Sequence, residues 1–180
     1  MLTITIPATE VFDEFTGEFV SIKEQTLQLE HSLISISKWE SRWCKPFLSK
    51  QDKTSEEVID YIKCMTLNKN VSDDVYGYLT QSNINAINEY IGAPMTATYF
   101  SGTERGKKSN EQITSELVYY WMIALNIPFE CQKWHINRLL TLIRVCNVKN
   151  TPPKKMSKRE IISRNAALNA ARRQQLNTKG

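Results

Sequence analysis

The residues able to do chemistry are few and widely separated. The chain holds two histidines, His31 and His135, and four cysteines, Cys44, Cys64, Cys131 and Cys146. Neither histidine stands at metal-ligand spacing from a cysteine or a carboxylate, and no CxxC pair points to zinc or dithiol chemistry. Buried free thiols in a reducing compartment account for the cysteines. The acidic pairs Glu56 with Glu57 and Asp73 with Asp74 fall where helices are expected to begin. There the helix dipole favours negative charge, so capping explains them without acid–base work.

Two short phrases imitate functional motifs. "HINR", His135 to Arg138, has the His-x-x-Arg spacing with which tyrosine recombinases hold a scissile phosphate. The nucleophilic tyrosine of those enzymes must come after it, and no tyrosine follows Tyr120. A histidine and an arginine on a helix surface are the better account. "GTERGKKS" lacks both the GK[ST] ending and the glycine spacing of a phosphate-binding loop, and reads as a solvated basic loop. No catalytic residue, metal site or cofactor is expected, and any function is one of binding or assembly.

The totals describe an ordinary globular chain with one anomaly. In 180 residues, 41% are hydrophobic and 23% charged, enough for one cored domain with an extension. No apolar run approaches the roughly 18–20 residues that span a bilayer, so no membrane partner is expected. "MLTITIPATEVFDEFTGEF" carries acids early and no basic leader before an apolar block, so an intracellular protein is expected. The anomaly is charge. Residues 150–180 hold eight Lys or Arg against Glu160 alone, a net of +7, which leaves 15 basic and 18 acidic residues in 1–149, a net of −3. The basicity belongs to the tail.

The elements that must position these residues are legible in the periodicity. Residues 1–31 read as strands: "LTITI" alternates Leu2, Ile4 and Ile6, "GEFVSIK" alternates Phe19 or Val20 with Ile22, and "TLQLEH" alternates Leu27 and Leu29. With Gly17 as a turn residue, a small antiparallel β-meander is expected. Residues 32–149 read as helices. Leu33, Ile36, Trp39 or Glu40, and Trp43 recur at helical spacing until Pro46. Thr54 and Glu57 form a capping box ahead of Val58, Tyr61, Ile62 and Met65. Short helices follow Ser72 and Thr80. After the loop "SGTERGKKSN", Ser109 and Gln112 predict the start of a helix whose apolar face is Ile113, Leu117, Tyr120, Trp121, Ala124 and Leu125. Pro128 stops it and permits a second helix with Trp134, Leu139, Leu142, Ile143 and Cys146 inward, the two packing as a hairpin. The fold class expected is α+β, mainly α, with a single domain over 1–149.

"NTPPKK" then breaks the body from a basic, conditionally helical extension over 150–180, since the second proline forces an extended or turn conformation on the first. Ser157 and Glu160 form a third capping box, and good helix formers follow. Its apolar set is thin, Ile161, Ile162, Leu168 and Leu176, so the helix is marginal unless it docks. The candidate contact residues of the tail are Lys154, Lys155, Lys158, Arg159, Arg164, Arg172 and Arg173. Phosphate is one candidate partner, but no aromatic is present to stack on a base, and nucleic acid ranks second to a protein surface. Trp39, Trp43 and Trp134 are candidate interface aromatics, with core packing as the plainer reading.

The phrases "LEHSLISISKWESRWCKPFLSKQDKTSEEVIDYIKCM", "MTATYF", "YYWMIALNIPFECQKWHINRLLTLIRVC" and "MSKREIISRNAALNAARRQQL" resemble, in order and over most of the chain, phage late proteins of the tail assembly chaperone family. The resemblance implies a small, mostly helical protein of the host cytoplasm that binds the tape measure protein while the tail tube polymerises, and that is absent from the finished particle. Genes of that family often yield a longer second product by ribosomal frameshifting. The N-terminal strands depart from a purely helical bundle. The rival within the same setting is a permanent virion component, a neck, tail-completion or capsid-associated protein, with other phage structural proteins or further copies of itself as partners.

Overall fold

The computed structural model describes residues 1–13, 18–100, 112–152 and 157–177, and the side chains of 11–22 lie outside that description. Four strands open the chain: β1 (Leu2–Ile6), β2 (Thr9–Asp13), β3 (Glu18–Ile22) and β4 (Gln25–Leu29). β1 pairs antiparallel with β4, and β2 with β3. Leu2 faces Leu29 and Ile6 faces Gln25, while Thr9 faces Ile22. Passing from the first ladder to the second moves three residues along each arm, so the register is unbroken. The two ladders are halves of one hairpin, parted where Pro7 has no N–H to contribute.

That arrangement corrects the expected meander. Alternation identified "LTITI" and "TLQLEH", but "TEVFD" is an additional strand, and β1 pairs with the last strand instead of the next. The expected turn residue Gly17 lies outside the described residues. Period two then decides burial at the base of the hairpin: Ile4, Ile6, Leu27 and Leu29 face the core, and Thr3, Thr5, Thr26 and Gln28 face out.

Helices build the rest, so the fold is α+β and mainly α. The first, α1 (Leu33–Trp43), starts at Ser32, whose hydroxyl accepts from the Ser35 amide, and stops where Cys44 turns left-handed at φ 51°. The next, α2 (Ser55–Met65), starts at the Thr54 and Glu57 capping box. A 3-10 turn at Asp73–Tyr78 leads to α3 (Gln81–Gly92), which lies against β1 with Asn83 Nδ2 donating to the Thr5 carbonyl at 3.3 Å. Leu33, Ile36 and Trp39 of α1, Tyr61, Ile62 and Met65 of α2, and Val118 and Met122 further on join the strand residues in one core.

Two expectations for the second half are corrected. Residues 101–111, including Ser109 and the loop "SGTERGKKSN", lie outside the described ones, and α4 spans Ser115–Ala124 behind a Thr114 cap. Its buried face is Ser115, Val118 and Met122; Leu117, Trp121 and Leu125 are half-buried, and Ile113, Tyr120 and Ala124 are exposed. A helix this apolar all round carries no periodicity with which to orient itself. Tertiary contact orients it instead: the buried Glu40 carboxylate accepts from the Phe47 amide (2.8 Å) and the Ser115 amide (2.7 Å), tying the start of α4 to α1. The main helical neighbour of α4 is α1, so the expected hairpin with the following helix gives way.

That following helix also starts later than expected. A 3-10 turn at Phe129–Lys133 precedes α5 (Ile136–Asn150), because Ser32 and His135 form an antiparallel bridge that holds residues around 135 extended. Inside α5, Ile136, Leu139 and Ile143 are buried, while Leu142 and Cys146 are half-buried. Finally α6 (Lys158–Leu176) begins at the Ser157 and Glu160 capping box and ends where Asn177 turns left-handed. The chain divides into two compact units, Met1–Asn147 and Val148–Gly180. Among the described residues, no helix is long and apolar enough to cross a membrane.

Candidate functional site

The two histidines, far apart in sequence, meet in the core. Their ring centroids lie 4.9 Å apart, edge to face, where the β4–α1 junction meets the start of α5. His135 Nδ1 accepts from the Asn137 amide (3.3 Å), which leaves Nε2 to donate to the Tyr90 carbonyl (3.0 Å). His31 Nδ1 meets the Tyr61 hydroxyl at 2.5 Å, and the Tyr90 hydroxyl donates to Glu30 Oε1 at 2.6 Å. Burial draws His31 down to about 3, helped by the neighbouring His135, and burial also lowers His135. Desolvation pushes the Tyr61 and Tyr90 hydroxyls up.

Proton transfer at neutral pH favours groups poised near that pH. These rings are held neutral and engaged, so the cluster acts as a joint tying the hairpin, α2, α3 and α5 together. "HINR" separates in space, with His135 buried and Arg138 exposed, its guanidinium 4.0 Å from the Trp134 ring centroid. Among the described residues no three His, Cys, Asp or Glu gather as a metal site, and Cys44, Cys64, Cys131 and Cys146 are free.

The three candidate tryptophans part company. Trp39 is 1% exposed and its indole donates to the Glu57 carbonyl (2.9 Å), so it is core and cannot anchor a partner. Trp43 stacks on it at 6.1 Å, donates to Asp60 Oδ2 (3.0 Å) and stays half-buried. Trp134, also half-buried, lines a shallow groove of about 430 Å³ with Met95, Thr98, Arg138 and Leu142.

Large apolar side chains reach the surface on and just after α4, among them Tyr120, which the sequence reading placed on the core face. Tyr120 is 63% exposed and Ile123 62%, on the side of α4 away from Val118 and Met122. Exposed Phe129 follows, its ring 6.4 Å from that of Tyr119. The signal was present in the run "LVYYWMIAL", which holds more apolar residues than one helix face can bury.

The tail helix supplies the charged surface. Lys154 and Lys155 lie outside the described residues; Lys158, Arg159, Arg164, Arg172 and Arg173 stand exposed on α6, which has no buried residue. With 3.6 residues per turn, Ile161, Ile162, Leu168 and Leu176 share one half of its circumference with Lys158, Arg159, Arg172 and Arg173. That half also holds Asn165, Ala166 and Asn169, and the other carries Ala167, Ala170, Ala171, Ser163, Glu160, Arg164 and the glutamines. Ordinary amphipathic helices put apolar and charged residues on opposite sides. Here they share a side, so the helix offers a face both apolar and cationic.

Comparison with protein-family models, with curated proteins and with solved structures finds no match for the chain.

Proposed function

We propose that this protein is a non-catalytic phage morphogenesis protein, a tail assembly chaperone that holds the tape measure protein in the host cytoplasm while the tail is built. The observation carrying the reading is the mixed face of α6. Four aliphatic side chains supply area and four cations supply charge on one side, which matches an apolar surface rimmed by carboxylates. A nucleic-acid backbone asks only for the cations. A helix with nothing buried gains most of its order from the partner it meets, which suits a transient holder. The tape measure protein, as the class of partner, comes from the resemblance in phrase order; a chain rich in coiled coil offers helix faces for such docking.

Capture from infected cells tests it. Full-length protein is expected to retain the tape measure protein, and a chain lacking residues 151–180 to lose it. Ile161→Ser with Leu168→Ser should weaken that capture while leaving any salt-sensitive retention on DNA unchanged. Retention on DNA that follows the cations alone, with no protein captured, would favour the nucleic-acid role. Mass spectrometry of purified virions should lack the protein; stoichiometric copies there would replace the chaperone with a neck, tail-completion or capsid-associated component.

A further inference from the structure

Between α2 and α3 lies a cleft of about 230 Å³ that the reading of α6 does not use. Its walls are Val58, Tyr61 and Ile62 on α2, and Ile84, Ile87, Asn88 and Ile91 on α3. These positions recur at helical spacing on both elements, so the cleft is the seam between two helices left open to the surface. Phe47 and Lys53 close one end. Pockets for whole small molecules run to roughly 300–1,000 Å³. A cleft below that range takes one or two side chains.

The charge at its end narrows the choice. Lys53 Nζ sits 4.4 Å from the Phe47 ring centroid and 5.8 Å from that of Trp39. Among the described residues it has no hydrogen-bond acceptor and no ion pair. Asp52 and Glu57 act on it only from beyond ion-pair distance, and Glu57 is already committed to Lys45 Nζ (2.5 Å) and to the Thr54 amide (2.8 Å). Partial burial lowers Lys53, against the pull of Glu57 and Asp52. Aromatic faces hold an ammonium in place without using its N–H donors. A cation so placed beside the aliphatic walls has, among the described residues, no carboxylate paired directly with it.

We propose that this cleft is an anchor site for a partner chain presenting a branched aliphatic side chain beside a carboxylate, the side chain entering between Ile84, Ile87 and Val58 and the carboxylate meeting Lys53. Hot spots of protein interfaces take this form, an anchor in a desolvated pocket with a charged rim. The site lies wholly on the body and stands without the reading of α6 given above.

The test uses full-length protein with isotope-labelled isoleucine methyls and two probes, N-acetyl-leucine and N-acetyl-leucinamide. N-acetyl-leucine is expected to move the Ile84, Ile87 and Ile91 methyl resonances and to bind more tightly than the amide by up to about fivefold, the upper end for an exposed ion pair. Lys53→Met, or Lys53→Gln should the first variant unfold, is expected to equalise the two probes while keeping the methyl shifts. Ile84→Trp, at the half-buried rim, is expected to block both. Shifts scattered away from these methyls, equal affinity for the two probes in the unaltered protein, or a preference that survives at position 53 would each overturn the proposal. None of these outcomes bears on capture through α6.

Discussion

α2 and α6 begin with the same local device and end in opposite circumstances. Thr54 with Glu57, and Ser157 with Glu160, close capping boxes with both reciprocal hydrogen bonds present. In each, the backbone amide of the cap holds the glutamate below the usual carboxylate range, with Lys45 the larger cause at Glu57. Yet Tyr61, Ile62 and Met65 of α2 are core, and α6 buries nothing. The capping box says where a helix starts and is silent about what it packs on. Burial depends on how apolar residues are distributed: α2 keeps Val58, Tyr61, Ile62 and Met65 on one side with Glu56 and Asp60 on the other, while α6 mixes aliphatics with cations.

The contrast breaks most visibly at the core. Trp39→Ala, which removes the indole packed between α1 and α2, is expected to cost the body about 3–5 kcal/mol in chemical denaturation. Leu168→Ala on α6 should move the same transition by less than about 0.5 kcal/mol. Equal effects would show that α6 is part of the cooperative body.

Glu40→Ala comes next. It strands the Phe47 and Ser115 amides in the core, at about 3 kcal/mol for the pair, and should loosen the start of α4 in hydrogen exchange.

The body alone contains histidines, so acid should separate the regions further. His31 is depressed from 6.5 to about 3 in the fold. The unfolded chain therefore binds the extra proton between those values, and stability is complete above about pH 6.5 and declines as pH falls towards 3. At pH 5 the loss from His31 alone is about 2 kcal/mol relative to pH 8. His31→Asn should flatten this part of the pH profile, and helicity of α6 should not follow it.

The smallest effects compare the caps directly. Thr54→Ala and Ser157→Ala each remove a side-chain acceptor at about 1 kcal/mol. The first is expected to appear in global unfolding, the second only as fraying in the exchange of the first-turn amides of α6. A global effect from Ser157→Ala would erase the distinction between the two helices.

What was readable beforehand follows the range of the forces involved. The capping boxes at Thr54 and Ser157, the strand alternation of Ile4, Ile6, Leu27 and Leu29, and the charge of the extension lie within a few residues of sequence. The seam that meets Lys53 needed α2 beside α3, and Lys53 itself sits two residues before the first turn of α2 with nothing in its neighbours to single it out. Trp39 and Trp134 look alike as isolated aromatics, and only packing makes one core and the other part of a groove wall.

By itself, the amino-acid sequence determined where most helices and the paired ends of the hairpin lie, the mainly helical class, and the segregation of basic charge into the last thirty residues, because propensity, capping and charge are local properties. Tertiary structure alone decided the pairing of β1 with β4, the side of α4 that faces inward, the late start of α5 and the meeting of His31 with His135. Each depends on contacts between residues distant in the chain: Glu40 choosing the Ser115 amide, and Ser32 bridging to His135. Periodicity cannot encode such choices where a helix is apolar on every side.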